Sequence, residues 1–549
     1  MNSSGGSGPL SAEIAGTADR SPGQAHGDGA GGRRRARLLL VGGGWTAAAL
    51  AAFAVYLRLA STRAVNSDGA SVALAGWDML HGNVLLRGWK LADVSFSTTE
   101  VPQYALIELV RGLSQNVIHI GAAMTYTLVL LFVALLAKGT ATGPAEAVAR
   151  VAIAVGIMLA PQLASGTDVL LSSPDHVGTS VPLLLVLLIL DRVRRPRWWV
   201  PVIVSALVAW AQLADSVVLL ALVIPLGVVC AFRVARSRQR LAAQWYEIAL
   251  AAGAIAGFAL AQLAYWAIGR AGGYTERPLG TQLAPLHEIF AHNLPVAAQC
   301  LLLLPGADVI GLPAGASTLF VALHLVGVAT AAAAIGLGAW RFRRRKADVV
   351  DQLLVAGIVV NFVGFVVTAH VFFVASAREI APVLPFAAVL AGRQLGPYVG
   401  CRRVAAGALG LVLAGYLAGL GLELTTPAAP PQDAQLTAWL ESHPIGTGLA
   451  SYWEANVVTV SSGGRVAVRP LSIVGNRILP AVGQIKDEWF DPARSRVDFV
   501  VLFPGIAGYP GFTDRRLVVG TFGTPSRVYQ VGRYTILWWP KNLLTDLPA

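Results

Sequence analysis

The feature that most constrains this chain is a series of apolar runs of bilayer length, separated by short arginine clusters. The first run, Leu38 to Leu59, follows Arg33, Arg34, Arg35 and Arg37. Further runs lie at 117–137, 147–164, 177–191, 198–214, 216–233, 245–268, 316–340, 350–374, 380–397 and 404–422. Lipid offers backbone N–H and C=O groups no partners, so each run reads as a helix that pairs them internally. The reading is of about eleven spans, some extended by their flanks to cross roughly 30 Å of hydrocarbon. The segment 286–312 is apolar but broken by Pro295 and Pro305. It reads as a re-entrant or interfacial helix, or as a pair of short spans.

Composition supports a membrane solvent. Hydrophobic residues make up 55% of the 549 and charged ones only 13%, with a mean hydropathy of +0.61. The net charge of +12 sits in clusters between spans, a topological pattern that also suits anionic lipid headgroups and predicts no nucleic-acid partner. Asp191 to Arg197, Arg233 to Arg240, Arg341 to Lys346 and Arg402-Arg403 all fall on the cytoplasmic side of an eleven-span chain. The less basic connections 61–116, 164–176 and 269–315 fall outside. The expected localisation is therefore a multi-pass cell-membrane protein, N-terminus cytoplasmic and C-terminus extracytoplasmic. Three cysteines, Cys230, Cys300 and Cys401, supply neither a disulfide framework nor a thiolate metal site.

Three regions follow. Residues 1–36, rich in Gly, Ser and Ala, read as a disordered cytoplasmic tail. Residues 37–422 form the membrane domain, with a long first outer loop at 61–116. Residues 423–549, after the linker Thr425 to Pro431, read as an extracytoplasmic α/β domain, with a helix from Gln435 to Ser442 and strands at 464–468, 497–502 and 534–538. In the first loop, Ser67 caps a helix from Asp68 to about Leu80 that ends at Gly82 and lies along the membrane surface. Trp77 and Trp89 suit the membrane interface.

Four groups of polar residues gather on the outer side. Asp68, in Ala64-Val-Asn-Ser-Asp68-Gly-Ala-Ser-Val72, opens its helix, where the dipole favours the ionised form. It reads as a general base, or as an ordinary first-turn carboxylate. Glu100 in Thr98-Thr-Glu100-Val-Pro-Gln-Tyr104 reads as a ligand for a divalent metal, as an aid to substrate positioning with Tyr104, or as a solvated loop acid. Asp175 and His176 stand at the mouth of a span, as metal ligands or as a helix cap beside an interfacial His. On a helix, neighbours point apart, so at most one of the two would reach a ligand. Arg378 in Ser376-Ala-Arg378-Glu-Ile-Ala-Pro-Val-Leu-Pro385 enters the membrane from the outer side. It suits bidentate binding of a lipid-linked phosphate, or an internal ion pair with Glu379 or another buried acid. Asp215 is a weaker substrate-binding candidate. So are Tyr452 and Trp453, whose aromatic faces stand beside Glu454 and Asn456 as in many sugar sites, or simply fill a small core.

In their order and sidedness these motifs resemble the GT-C glycosyltransferases, in particular the protein-O-mannosyltransferase and aminoarabinose-transferase-like branch. The resemblance spans about residues 38–422. It implies an inverting transferase that takes a sugar from a polyprenyl phosphate and passes it to an extracytoplasmic acceptor, with no nucleotide cofactor and with a divalent metal as an option. Asp68 matches the early loop base and Arg378 the late arginine. The chain departs from the pattern at Gly69, where an acid usually follows Asp68. It departs also in Glu100-Val-Pro-Gln103, where E-K-P-P is usual, and at Glu379, where Tyr is common. A lipid or sugar transporter is the alternative class, although a transporter calls for broken helices and midplane polar groups. A catalytically degenerate relative acting in envelope assembly is a third.

Overall fold

The computed structural model describes residues 28–159, 166–172, 174–238, 240–277, 282–344, 347–431, 433–506 and 509–548. Residues 1–27, most of the expected tail, lie outside the described residues. The first helix, α1 (Asp28–Ala60), begins inside the segment expected as tail. The first long loop contributes α2 (Ser67–Leu80) and α3 (Glu100–Arg111). The bundle continues with α4 (Gln115–Lys138), α5 (Pro144–Met158), α6 (Ser180–Arg192), α7 (Trp199–Ala214), α8 (Leu219–Arg236) and α9 (Trp245–Arg270). It closes with α10 (Leu294–Leu303), α11 (Ala316–Arg343), α12 (Val349–Val367), α13 (Val383–Gly400) and α14 (Arg403–Leu424).

The chain is a polytopic helical membrane protein. Among the described residues, seven helices are long and apolar enough to cross a bilayer, or eight if a bent pair counts as one span. The shortfall against eleven lies in α5, α6 and α7, of 15, 13 and 16 residues, and residues 160–164 of the span expected at 147–164 lie outside the described residues. The bent pair is Val374–Ile380 with Val383–Gly400, which meet at 64°. Pro382 sits between them, and a ring in place of an N–H prevents the helix from running straight through. This break sets Arg378 at the head of α13.

Helix α2 starts where Asn66 accepts a hydrogen bond from the Gly69 N–H at 2.9 Å. The cap is thus Asn66, not the expected Ser67, whose hydroxyl instead donates to the Tyr452 carbonyl. The helix stops at Gly82, whose φ of +100° is open to glycine and strained for other residues.

The C-terminal region carries α15 (Ala434–Ser442), α16 (Tyr452–Ser461) and α17 (Arg515–Phe522) around a mixed sheet. Numbering strands along the whole chain gives β1 (Trp89–Leu91), β2 (Thr275–Glu276), β3 (Gly448–Ser451), β4 (Val468–Val474), β5 (Arg477–Pro480), β6 (Ile485–Lys486), β7 (Phe499–Ile506), β8 (Tyr509–Phe512), β9 (Arg527–Val531) and β10 (Tyr534–Trp538). The large sheet runs β5-β4-β3-β7-β10-β9, with β8 on β7. Central β3 pairs in parallel with both β4 and β7. The strand expected at 464–468 begins only at Val468, because Ser462 to Arg465 form the turn that brings the chain back from α16.

This region is docked, not merely tethered. A second sheet, β2-β1-β6, joins the first long loop, the connection after α9 and the C-terminal region. Trp89, expected at a membrane interface, is buried there. It donates to Asp78 at 2.8 Å and meets Trp489 edge-on. Val457 and Val460 of α16 bury against Ala70, Ala73 and Leu74 of α2 in one apolar cluster.

A buried ionic knot marks the far end of the bundle. Arg393, only 6% exposed, donates to Asp191 at 2.8 Å, to Asp351 at 2.6 Å, to Asp348 and to the Leu136 carbonyl. It ties together α4, α6, α12 and α13.

Candidate active site

Asp68 lies on the first turn of α2 and points at two partners. The Tyr452 hydroxyl donates to its Oδ1 at 2.5 Å, and Arg378 Nη1 lies 3.7 Å from its Oδ2. The same Arg378 nitrogen is 3.6 Å from Asp175, while Arg378 Nε is 3.7 Å from Glu379. The guanidinium keeps 45% of its side chain exposed, so a ligand can still reach it.

Behind this group stands His176. Its Nδ1 donates to Asp215 at 2.8 Å, and its Nε2 reaches Glu379 at 3.2 Å. Burial works against its charge, but the Asp215 and Glu379 carboxylates prevail and hold the imidazole well above its ordinary pKa. The two carboxylates thus favour the imidazolium. Asp215 is itself buried, and it also accepts from the Thr179 hydroxyl and, at 2.9 Å, from the Val217 N–H. His176 has a φ of +42°, an unusual value for a side chain of this size. That backbone turn explains how Asp175 and His176 both face the centre. They lie in a loop ahead of α6, not on a helix, so the expectation that only one could reach inward fails.

Glu100 opens α3 and is 3% exposed, with neither carboxylate oxygen hydrogen bonded. Its carboxyl is pushed up to about 7, by burial first and by the field of Asp215 in addition. It fits against Gly178, where a Cβ would stand 1.7 Å from Glu100 Oε1, so only glycine admits it.

No protein-family model matches the chain, and no curated protein matches it in sequence. Solved structures do match. ArnT from Cupriavidus metallidurans in the apo state superposes with a TM-score of 0.56 at 14% identity, over 93% of this chain and 100% of that one. The chain shares the fold of ArnT. ArnT bound to undecaprenyl phosphate gives a TM-score of 0.54 at 13% identity, over 90% and 97% of the two chains. An Archaeoglobus fulgidus oligosaccharyltransferase tethered with an acceptor peptide gives 0.44 at 12% identity, over 83% and 68%.

On this frame the structure brings Asp68, Asp175, His176, Asp215, Arg378 and Tyr452 together. It does not assemble Glu100, Asp175 and His176 as a metal site. Both His176 nitrogens are taken by carboxylates, Asp175 faces Arg378, and Glu100 is packed on Gly178. Among the described residues no three His, Cys, Asp or Glu side chains are placed to hold a metal ion. Asp215 spends its oxygens on the protein's own groups, so it orients His176. Tyr104 is 1% exposed and lines a narrow crevice beside Glu100. Trp453 packs edge-on against Tyr452, ring centroids 5.1 Å apart.

Glu379 and Thr179 complete the centre and were missed as functional residues. Glu379 was visible only as a neighbour of Arg378. Its bridge to His176 is a long-range contact with no local signal. Glu108 was passed over as well. It is 2% exposed without a partner for either oxygen, and burial pushes it up to about 9, so it sits as a neutral acid between α2 and α3.

Proposed function

We propose that this chain transfers a sugar from a polyprenyl-phosphate donor to an extracytoplasmic acceptor, with inversion at the anomeric carbon. The observation that carries the reading is the pairing of Asp68 with Arg378 at 3.7 Å. A base and a phosphate-binding cation meet in one centre, and a donor that parts them places its sugar carbon between the two. Undecaprenyl phosphate bound to ArnT supports a lipid phosphate as the leaving group.

In this mechanism Asp68 accepts the proton of an acceptor hydroxyl as its oxygen attacks the anomeric carbon. The carbon–oxygen bond to the lipid phosphate breaks on the opposite face, and Arg378 stabilises the charge that develops there. Four carboxylates, Asp68, Asp175, Asp215 and Glu379, surround the two cations Arg378 and His176. A donor phosphate therefore binds by displacing a carboxylate from Arg378, which couples donor entry to the freeing of Asp68. The arginine clusters at the far end of the bundle support an extracytoplasmic location for this centre.

The test uses the purified protein in lipid nanodiscs with radiolabelled short-chain polyprenyl-phosphate hexoses and pentoses, and a cell-envelope extract as acceptor. Release of lipid phosphate with label in a glycan of inverted configuration is the expected result. No transfer across the panel, with unchanged envelope glycans after gene deletion, refutes the reading.

A further inference from the structure

We propose that a polar cavity beside the centre holds the sugar ring of the lipid-linked donor. The proposal rests on the transferase reading above and adds the place where the transferred group is recognised.

The cavity is about 310 Å³ and is walled by the end of α7, the end of α9 and the segment around Asp93. Ligand clefts run from roughly 300 to 1,000 Å³, so this one takes a single ring and not an oligosaccharide. Asp215, the partner of His176, forms one side, which sets the cavity directly behind the catalytic group. Asp93 forms another part of the lining and also acts on the charge of Arg378.

Its chemistry suits hydroxyl groups. Gln212 is only 8% exposed, and its amide oxygen is buried with no hydrogen-bond partner. A buried acceptor left unpaired is costly, and a ligand hydroxyl satisfies it. Opposite, Tyr265 accepts from the Glu276 backbone N–H at 3.1 Å, which leaves its own O–H free to donate. The Glu276 carboxyl is pushed up to about 7, chiefly by burial, so near neutrality it can both give and take a hydrogen bond.

The wall is fixed in advance of any ligand. The Phe96 N–H donates to the Ala214 carbonyl at 3.1 Å, and Thr98 and Trp210 exchange two hydrogen bonds of 2.7 and 2.6 Å. These bonds pin the first long loop to the end of α7. A lipid-borne sugar is favoured over a water-borne one by α9. Its Leu260, Leu263 and Trp266 are exposed, as on a lipid-facing surface, and Trp266 lies one turn from Gln262 of the cavity lining. A donor whose chain lies against that face would place its first sugar at the cavity.

The experiment measures binding to the full-length protein in nanodiscs. The probes are a short-chain polyprenyl phosphate and a panel of its hexosyl and pentosyl esters. Wild type should bind at least one glycosyl ester more tightly than the bare lipid phosphate. Gln212→Leu and Glu276→Ala should each reduce that preference about tenfold, the scale of one lost buried hydrogen bond, and leave bare-lipid affinity within about twofold. Should Gln212→Leu fail to fold, Glu276→Ala on the other wall gives the same readout. Survival of the preference in the folded variants overturns the proposal. So does a wild type that binds bare lipid as well as every glycosyl ester, although the transferase reading would then stand. A wild type that binds none of the probes defeats that reading and this proposal together.

Discussion

The hydroxyl of Tyr452 donates to Asp68 across 2.5 Å, although 384 residues separate the two in sequence. Asp68 belongs to the first long loop and Tyr452 to the docked C-terminal region. The proposed base is therefore oriented by a part of the chain that contributes no span. Ser67 strengthens the link by donating to the carbonyl of the same tyrosine, and Asn456 donates to Ser71 one turn further along at 2.8 Å.

Asp68→Asn should keep the Tyr452 contact and the fold but remove the proton acceptor. Turnover of the purified protein should fall by about 10²–10⁴, with the thermal midpoint unchanged. Near-normal turnover would exclude Asp68 as the base.

Tyr452→Phe should lower kcat about tenfold and leave the donor KM nearly unchanged, because it frees the carboxylate without touching the phosphate site. A rise in donor KM with normal kcat would assign Tyr452 to donor binding instead.

Arg378→Lys should raise the donor KM, since an ammonium cannot offer the planar fork to a phosphate. Arg378→Ala should do so more strongly. Donor titration of both variants checks this, and unchanged affinity in Arg378→Ala would leave Arg378 as a structural partner of Asp68, Asp175 and Glu379.

Glu100 gives a pH prediction. Its carboxyl is raised in the fold from the ordinary 4.5 to about 7. Below about 4.5 it is protonated in both folded and unfolded chains, and its contribution to stability is fully present. As the pH rises through about 7 that contribution is lost, on the order of 3 kcal/mol. Glu100→Gln should therefore melt like wild type at pH 4.5 and at a higher temperature than wild type at pH 8. Thermal scans at the two pH values decide it, and equal midpoints at pH 8 would refute the buried-acid assignment.

Arg393→Leu should destabilise the bundle by about 3–5 kcal/mol, because it strands the buried Asp191 and Asp351 without their cation. A thermal midpoint equal to wild type would show that these acids find other partners.

The sequence made the helical membrane fold legible because hydrophobic runs and arginine clusters are local signals. Asp68, Arg378, Asp175, His176 and Asp215 were legible as polar groups at the ends of such runs. Their pairings were not. Which carboxylate His176 meets depends on a left-handed backbone turn and on the packing of α6, α7 and the break before α13, none of which leaves a local pattern. Trp89 was misplaced for a related reason, since an indole suits a lipid headgroup and a protein interface equally well. Asn66 and Ser67 are both good caps, and only the distant Tyr452 carbonyl decides between them.

The β2-β1-β6 sheet draws its three strands from the start, the middle and the end of the chain. A ribosome makes β6 only after the last helix of the bundle, and Tyr452 arrives in the same late stretch. A nascent or prematurely terminated chain thus carries the whole membrane bundle but an open, unoriented Asp68.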